Sequence, residues 1–363
     1  MTAGGPQVPA VMPRGGQQSN AAAVLTRWET LPPQLNSDAT KWVYLGPDGS
    51  RWDLAGPRAG LQGVQLSEEM QGAVHMDFEH LLTESAYQMG ATYERTNILK
   101  RIINFGAMIG SKTRPLTAHQ FDMVSGRWFA AWPIGVPGWL GAHTWYGGWR
   151  WIPVMQAGPS KTSQKKDPKY AKNNTMVWDM QALAVRPWYS KRILMETFTA
   201  QAANFRPGHQ YDEKTITIAN RGDMWQWLKF QVTLPPGVKK GRAWVQDGML
   251  AGTLKPIPSE TDWITAGESP LLVDCDEAAR TLTAANDPID NEFYKVLRAN
   301  KIVDFIFQDL LGDPLGEPIW QRANGLRFTS MVPPRTVANI RVRHDTPGGT
   351  VTVMCPQWFT RPY

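Results

Sequence analysis

The histidines are the first residues to test for chemistry, because imidazole serves both as a general base and as a metal ligand. The chain has six of them, and none stands in an H-E-x-x-H or comparable spacing. His75 and His80 flank Asp77 and Glu79, which would allow a metal site, but a polar loop explains these residues more simply. With no catalytic nucleophile or carboxylate pair evident, we predict no enzyme activity, no metal and no cofactor.

The carboxylates and glycines point the same way. Asp274, Asp276 and Glu277 form the densest acidic group, but they lack the alternating ligands, turn glycine and distal glutamate of a calcium loop. A solvated turn is the favoured interpretation. The glycines at 56, 60 and 63 do not match dinucleotide or phosphate-binding spacings, so they are predicted to serve turns or bulges.

Tryptophan is abundant, with 17 in the chain, and six of these crowd residues 128–151. A stacking platform for bases or sugars is conceivable. Packing in a core or at a subunit interface is favoured instead, since tryptophan dominates interface hot spots. The interface candidates are Trp52, Trp128, Trp132, Trp149, Trp151 and Trp358.

Lysines form a single cluster between residues 160 and 174. Within it, Lys165 and Lys166 are further interface candidates, for contact with an acidic neighbouring protein. A solvated loop is the simpler interpretation. The net charge of the whole chain is only +6, and the other basic residues are scattered. We therefore expect no specific binding of nucleic acid.

Cys275 and Cys355 are the two cysteines. They are far apart in sequence and are expected to remain free thiols in a reducing compartment. Residues 1–20 contain no apolar run typical of a secretory signal, and no stretch is long enough to span a bilayer. We expect synthesis in a cytoplasm and no contact with a membrane.

Most of the elements that must position these residues are predicted to be short strands, because 28 prolines and 32 glycines punctuate the chain. A hairpin pairs residues 41–45 with 51–54. The clearest strand covers 99–109, and further strands are expected at 139–146, 149–154 and 175–184. Residues 116–132 predict a helix with Thr117 as its N-cap. Residues 78–89 are expected to form a short helix or turns.

A second series of strands starts near residue 191 and has the turn spacing of a β-sandwich. It includes a clean alternation at 215–219 and a short helix within 290–311. The predicted organisation is an N-terminal arm (1–25), a first domain (26–190), a β-sandwich (191–349) and a terminal strand with an aromatic docking tail (350–363). The arm is either disordered or ordered on a neighbouring subunit.

The order and spacing of several motifs resemble the distal tail proteins, also called minor tail proteins, of long-tailed phages that infect actinobacteria. These motifs are W-D-L-A-G at 52–56, G-L-Q-G-V-Q-L at 60–66, G-A-T-Y at 90–93, R-W-F at 127–129, W-P-I-G-V-P-G-W-L at 132–140 and G-W-R-W-I-P-V at 148–154. The resemblance covers most of the chain and is sharper in the first half. Asp276-Glu277 departs from the pattern, where Asp-Pro is expected.

The resemblance implies a mainly β protein with two domains. The first would be a β-barrel-like belt domain with one helix, and the second a galectin-like sandwich. Copies of the chain, typically six, would close into a ring at the tail tip of the virion. The ring would join the tail tube and the tape-measure protein to the baseplate hub and to receptor-binding or side-fibre proteins. Synthesis would take place in the host bacterium.

Two other classes of function stay open at this point. A carbohydrate-binding module for the host envelope would use the sandwich and its tryptophans, with Trp225 and Trp227 as test positions. A cell-wall hydrolase would need two carboxylates facing each other across a cleft.

Overall fold

The computed structural model describes residues 39–84, 87–110, 115–162, 167–170, 174–276, 282–284 and 323–363. The arm at 1–25, the helix expected within 290–311, and Lys165 and Lys166 lie outside these residues. The described part is mainly β, as the composition predicts, with twenty strands and one α-helix.

The first half of the chain contains nine strands and the helix. The strands are β1 (Lys41–Leu45), β2 (Arg51–Ala55), β3 (Val64–Gln71), β4 (Phe78–Thr83), β5 (Thr92–Ile98), β6 (Arg101–Ile109), β7 (Gly138–Thr144), β8 (Gly148–Gln156) and β9 (Met176–Ala184). The helix α1 (Ala118–Ala130) lies between β6 and β7.

The second half contains the remaining strands. These are β10 (Tyr189–Thr199), β11 (Asp212–Asn220), β12 (Lys229–Thr233), β13 (Lys240–Gly241), β14 (Ala243–Gln246), β15 (Leu254–Ile257), β16 (Ile264–Thr265), β17 (Leu271–Asp274), β18 (Leu282–Ala284), β19 (Thr336–His344) and β20 (Thr350–Phe359). Short 3₁₀ turns occur at Pro168–Tyr170 and Ala202–Asn204.

The predicted helix is confirmed, and its first residues show why it forms there. The Thr117 side chain accepts a hydrogen bond from the main-chain N–H of Gln120, whose own side chain accepts one from the main-chain N–H of Thr117. This capping box satisfies two donors that a helix start leaves free. Phe121 and Trp128 are the buried residues of the helix, so it covers the first core with one face.

The prediction for residues 78–89 was wrong. Phe78–Thr83 forms strand β4 and pairs with β5. The pattern was ambiguous because every residue of β4 is exposed. A strand without a buried face shows neither the alternation of a half-buried strand nor the period of an amphipathic helix.

One large sheet extends through both halves, with the order β18-β17-β12-β20-β10-β8-β7-β1-β2. At β8 it branches, since the end of this strand also pairs with β9, which continues to β6 and β3. No pair of described strands closes a barrel, because the path stays open between β2 and β3. The predicted domain boundary near residue 190 falls within β10, which pairs with β8 on one side and β20 on the other.

Buried apolar residues form two clusters. The first holds residues from 44 to 189 together with Phe359, and the second holds residues from 198 to 355. The second cluster contains Ile216 and Ile340 of the four-stranded sheet β11-β19-β14-β15 together with Phe230 and Val353 of the large sheet. The second half is therefore built from two sheets packed face to face.

Candidate assembly interface

Three of the interface candidates lie inside the first core. Trp52, Trp128 and Trp132 are at most 4% exposed. Trp132 stacks on Tyr44 with ring centroids 3.9 Å apart, and Trp52 meets Trp128 edge to face at 5.2 Å. The packing of the chain on itself already uses these rings, so they are not available to a neighbouring molecule.

The other three candidates lie on the opposite, outer face of the large sheet. In the strand register Trp151 faces Ser190, which faces Trp358 on the next strand. Trp149 stacks on Trp151 at 5.2 Å, and Trp188 stacks on Trp358 at 4.8 Å. We call these four half-buried rings the outer tryptophan row. Cross-strand neighbours that share a face explain why residues far apart in sequence meet here.

A glycine makes room for this row. A Cβ atom at Gly141 of β7 would come within 2.4 Å of the Trp151 ring. The indole of Trp151 therefore lies directly over the backbone of β7, and any larger residue at Gly141 would displace it. On the same strand, His143 contacts the Trp149 ring at 5.0 Å.

The β4–β5 hairpin is the feature of the molecule that sequence reasoning missed. It forms a two-stranded sheet that pairs with no other described strand. Phe78 and Tyr93 are each 58% exposed, and Leu82 and Ile98 are also exposed. The signal in the sequence was a set of apolar residues interspersed with acidic ones, without the periodicity that would place the apolar residues on one buried face.

One face of the hairpin is aromatic and organised within itself. His80 lies between two rings, 5.0 Å from Phe78 and 5.8 Å from Tyr93. Both the Tyr93 hydroxyl and His80 Nδ1 lie 2.8 Å from the Thr96 hydroxyl. These contacts fix the side chains of the aromatic face while leaving that face open to solvent.

The root of the hairpin is anchored in the first core. The main-chain oxygen of buried Ala73 accepts hydrogen bonds from Arg101 Nη1 at 2.8 Å and from the Tyr189 hydroxyl at 2.7 Å. Arg101 is fully buried and also donates from Nη2 to the Thr360 oxygen. Burial lowers the pKa of the Arg101 guanidinium and raises the pKa of Tyr189. The hairpin thus projects from a rigid point that also holds the C-terminal segment.

The sites that could have carried chemistry have structural roles. Asp274 is not in a solvated turn as expected: it is buried at the end of β17 and pairs with Lys229 Nζ at 3.0 Å. In the described part of the chain, no group of three or more His, Cys, Asp or Glu side chains could hold a metal ion. The glycines at 56, 60 and 63 have positive φ, as turn glycines do.

Within the described residues, no helix is long and apolar enough to cross a bilayer.

Comparison with known proteins supports the resemblance. No protein-family model matches the chain. The minor tail protein Gp27 of Mycobacterium phage D29 is 25% identical over 342 residues, which cover 87% of this chain and 96% of that protein. The aligned region thus includes both halves of the molecule and nearly all of the relative.

The fold is similar to the crystal structure of the Dit protein of phage SPP1, described as a paradigm of the hub adsorption apparatus of phages that infect Gram-positive bacteria. The TM-score is 0.51 at 10% identity, and the match covers 88% of this chain and 99% of that one. The chain is a homologue of a mycobacteriophage minor tail protein and has the fold of a phage distal tail protein, as its motifs predicted.

Proposed function

We propose that this chain is a structural protein of a phage tail tip that works by assembling with copies of itself. The observation that carries the proposal is the β4–β5 hairpin, which exposes an aromatic face on a rigid root. The homologous minor tail protein and the shared distal tail fold give the context of a virion component.

The hairpin is an unfavourable structure for a chain that stays alone. A single two-stranded hairpin is marginally stable in water, and this one leaves Phe78 and Tyr93 more than half exposed. Exposed apolar patches on soluble proteins usually mark interaction sites. Packing the aromatic face on a neighbouring molecule would remove the apolar area from water and would fix the hairpin.

Self-association of this kind leads to a ring. We infer that the hairpin packs on a different surface of the next copy, which makes the contact heterologous, because a hairpin packed on another hairpin would be isologous and would stop at a dimer. Heterologous contacts close into a ring when the rotation per copy divides a full turn. A hexamer is the stoichiometry that the resemblance implies.

The distribution of charge supports one candidate surface on which the hairpin of a neighbouring copy could pack. Residues 77–98 include four acidic residues and one arginine, so the hairpin and its turn are acidic. The lysine-rich segment at 160–174, with Lys165 and Lys166, is of opposite sign. On charge, we assign contact with the hairpin of a neighbouring copy to this segment. We propose the outer tryptophan row as a second contact, because its rings are only half-buried.

In the virion the ring would join the tail tube and the tape-measure protein to the baseplate hub. The second half, with its two packed sheets, would be the galectin-like domain that faces outward. Receptor-binding or side-fibre proteins would attach there. Such a role needs no catalytic residue and no cofactor.

Native mass spectrometry and negative-stain imaging of the full chain test the proposal. The wild type should form a closed ring with a fixed number of copies. A Phe78→Ser/Tyr93→Ser double variant should need at least tenfold more protein to form that ring, at an unchanged melting temperature. Trp225→Ser is the matched control, because Trp225 is exposed and lies outside the hairpin. A wild type that stays monomeric, or a double variant that forms the same ring, would refute the proposal.

A further inference from the structure

The second half contains an open pocket that the assembly role does not use. It has a volume of about 370 Å³ and lies between β10 and β11. Its lining is rich in hydroxyl, amide and carboxylate groups, from Thr197, Thr199, Gln201, Asn204, Asp212 and Glu213, and it also includes Phe198 and Lys214. A purely apolar ligand would displace water from these polar groups without replacing its hydrogen bonds, so the pocket suits a ligand that carries many hydroxyl groups.

Hydrogen bonds hold the walls of this pocket in place. Buried Asp212 accepts from the main-chain N–H of Gln201 at 2.7 Å and from Asn204 Nδ2 at 2.8 Å. Glu213 accepts from Arg343 Nε at 2.9 Å and from Nη2 at 2.7 Å. The polar groups therefore do not have to be ordered when a ligand binds.

A row of rings and guanidinium groups leads away from Glu213 across the four-stranded sheet. Arg343 lies over the Tyr211 ring at 3.8 Å, and Arg242 lies over the Trp263 ring at 4.4 Å. Trp244 stands between the two arginines, 5.8 Å from Arg343 and 5.9 Å from Arg242. We call these five residues the ring and arginine row. The row joins the pocket through the pair between Arg343 and the pocket residue Glu213, and we refer to it as the rim.

The row retains capacity to donate hydrogen bonds. Arg242 donates from Nε to the main-chain oxygen of Asp262, and its two terminal nitrogens meet no acceptor among the described residues. Arg343 donates from Nε and Nη2 to Glu213, and its Nη1 likewise meets no acceptor among the described residues. Charged donors form stronger hydrogen bonds than neutral ones, so these groups can bind hydroxyl oxygens in competition with water.

From this arrangement we infer that the pocket and the ring and arginine row bind an uncharged oligosaccharide. Its hydroxyl groups would meet the carboxylate and amide acceptors of the pocket and the arginine donors of the rim. Its C–H faces would pack on the exposed part of the rings. The carboxylates of Asp212 and Glu213 are balanced by Lys214 in the pocket and by Arg343 and Arg242 in the row, so the site as a whole does not require a charged ligand. The site is distinct from Trp225 and Trp227, of which Trp227 packs against the second core.

Saturation-transfer difference NMR on the full chain tests the inference. The ligands are uncharged gluco-, galacto-, manno- and arabino-oligosaccharides, compared with uronic acid oligomers of the same length. At least one uncharged series should bind at millimolar or lower concentration, and the uronic acid oligomers should bind no more tightly than that series. Absence of binding by every uncharged series, or a preference for the acidic one, overturns the inference.

Two variants locate the binding site. Trp263→Ala at the rim should weaken binding at least tenfold, and Thr199→Val in the pocket should weaken it at least twofold. The exposed control Trp225→Ala should leave the affinity unchanged. If Trp263→Ala lowers the melting temperature, its loss of binding could reflect unfolding, and Thr199→Val then locates the site. Thr199 is an exposed strand residue, and valine preserves its shape. Equal loss in the Trp225→Ala control, or none in Thr199→Val, contradicts the assignment. Since none of these residues lies in the hairpin, ring formation and saccharide binding can fail independently.

Discussion

The first core and the β4–β5 hairpin use similar side chains in opposite ways. In the core, Tyr44, Trp128 and Trp132 pack on each other and are at most 4% exposed. In the hairpin, Phe78 and Tyr93 also lie in a row of ring contacts, but more than half of each ring faces solvent. The core rings are surrounded by other buried side chains of the chain, whereas the hairpin rings are largely surrounded by solvent.

This comparison separates folding from assembly. Core rings have their partners within the chain, so they stabilise the monomer. Among the described residues, the rings of the hairpin contact other rings only within the hairpin, so removing them should change association and not folding. Abundance of tryptophan in the sequence could not distinguish the two roles, whereas exposure does.

The largest expected effect is on the core side of the comparison. Trp128→Ala removes a fully buried indole and should lower the free energy of unfolding by about 3–5 kcal/mol. Urea unfolding monitored by circular dichroism measures it. Tyr93→Ala in the hairpin should change the same quantity by less than about 0.5 kcal/mol. Equal losses of unfolding free energy in the two variants would show that core and hairpin rings stabilise the monomer alike.

A buried histidine extends the comparison to the second core. Burial lowers the pKa of His344 to about 4, and its Nδ1 accepts from the main-chain N–H of Thr346 at 3.0 Å. The unfolded chain binds a proton below its ordinary pKa of 6.5, whereas the folded chain binds one only near pH 4. Stability should therefore fall as the pH drops through this window, by about 3 kcal/mol in total.

Urea midpoints between pH 7 and pH 4.5 test this expectation, because most carboxylates have not yet become protonated there. His344→Gln should flatten the profile, even if it lowers stability at every pH. A profile of the variant as steep as that of the wild type would show that another group is responsible.

The root of the hairpin should give an intermediate effect. Arg101→Met removes two hydrogen bonds to main-chain oxygens and should cost about 1–3 kcal/mol. Arg95→Met within the hairpin is the matched control, since Arg95 is exposed. Thermal unfolding compares them. A control that destabilises as much as Arg101→Met would mean that the hairpin packs more firmly than its exposure indicates.

The smallest effect on stability is expected within the hairpin. Phe78→Ser should leave the melting temperature nearly unchanged, because the side chain is largely exposed. Sedimentation velocity over a range of concentrations should show weaker association. A marked loss of stability without any loss of association would make the hairpin part of the core.

Local signals in the sequence predicted much of the fold. Thr117 as N-cap marked the start of α1, and the strands expected at 41–45 and 51–54 form the hairpin of β1 and β2. The alternation at 215–219 corresponds to β11, where Ile216 and Ile218 are buried between exposed threonines. These elements depend on contacts between residues near each other in sequence.

Features that depend on distant contacts could not be predicted. The pairing of β10 with β20 brings residues 189–199 against 350–359, so the large sheet crosses the expected domain boundary. Only this pairing places Trp151 and Trp358 on one face. The interface candidates fall into two groups for the same reason. The tryptophans of 128–132 belong to the core, and those on the outer face could be recognised only from the strand register.

A photo-crosslinking residue in place of Tyr93 tests the central claim most directly. If the hairpin contacts a neighbouring copy, irradiation of the purified full chain should give a ladder of crosslinked species that ends at the number of copies in the ring. Mass spectrometry should locate the crosslinks outside residues 77–98, in or next to the segment at 160–174 or the outer tryptophan row. The same substitution at Trp225 should give no ladder. Crosslinks confined to single chains would contradict the account.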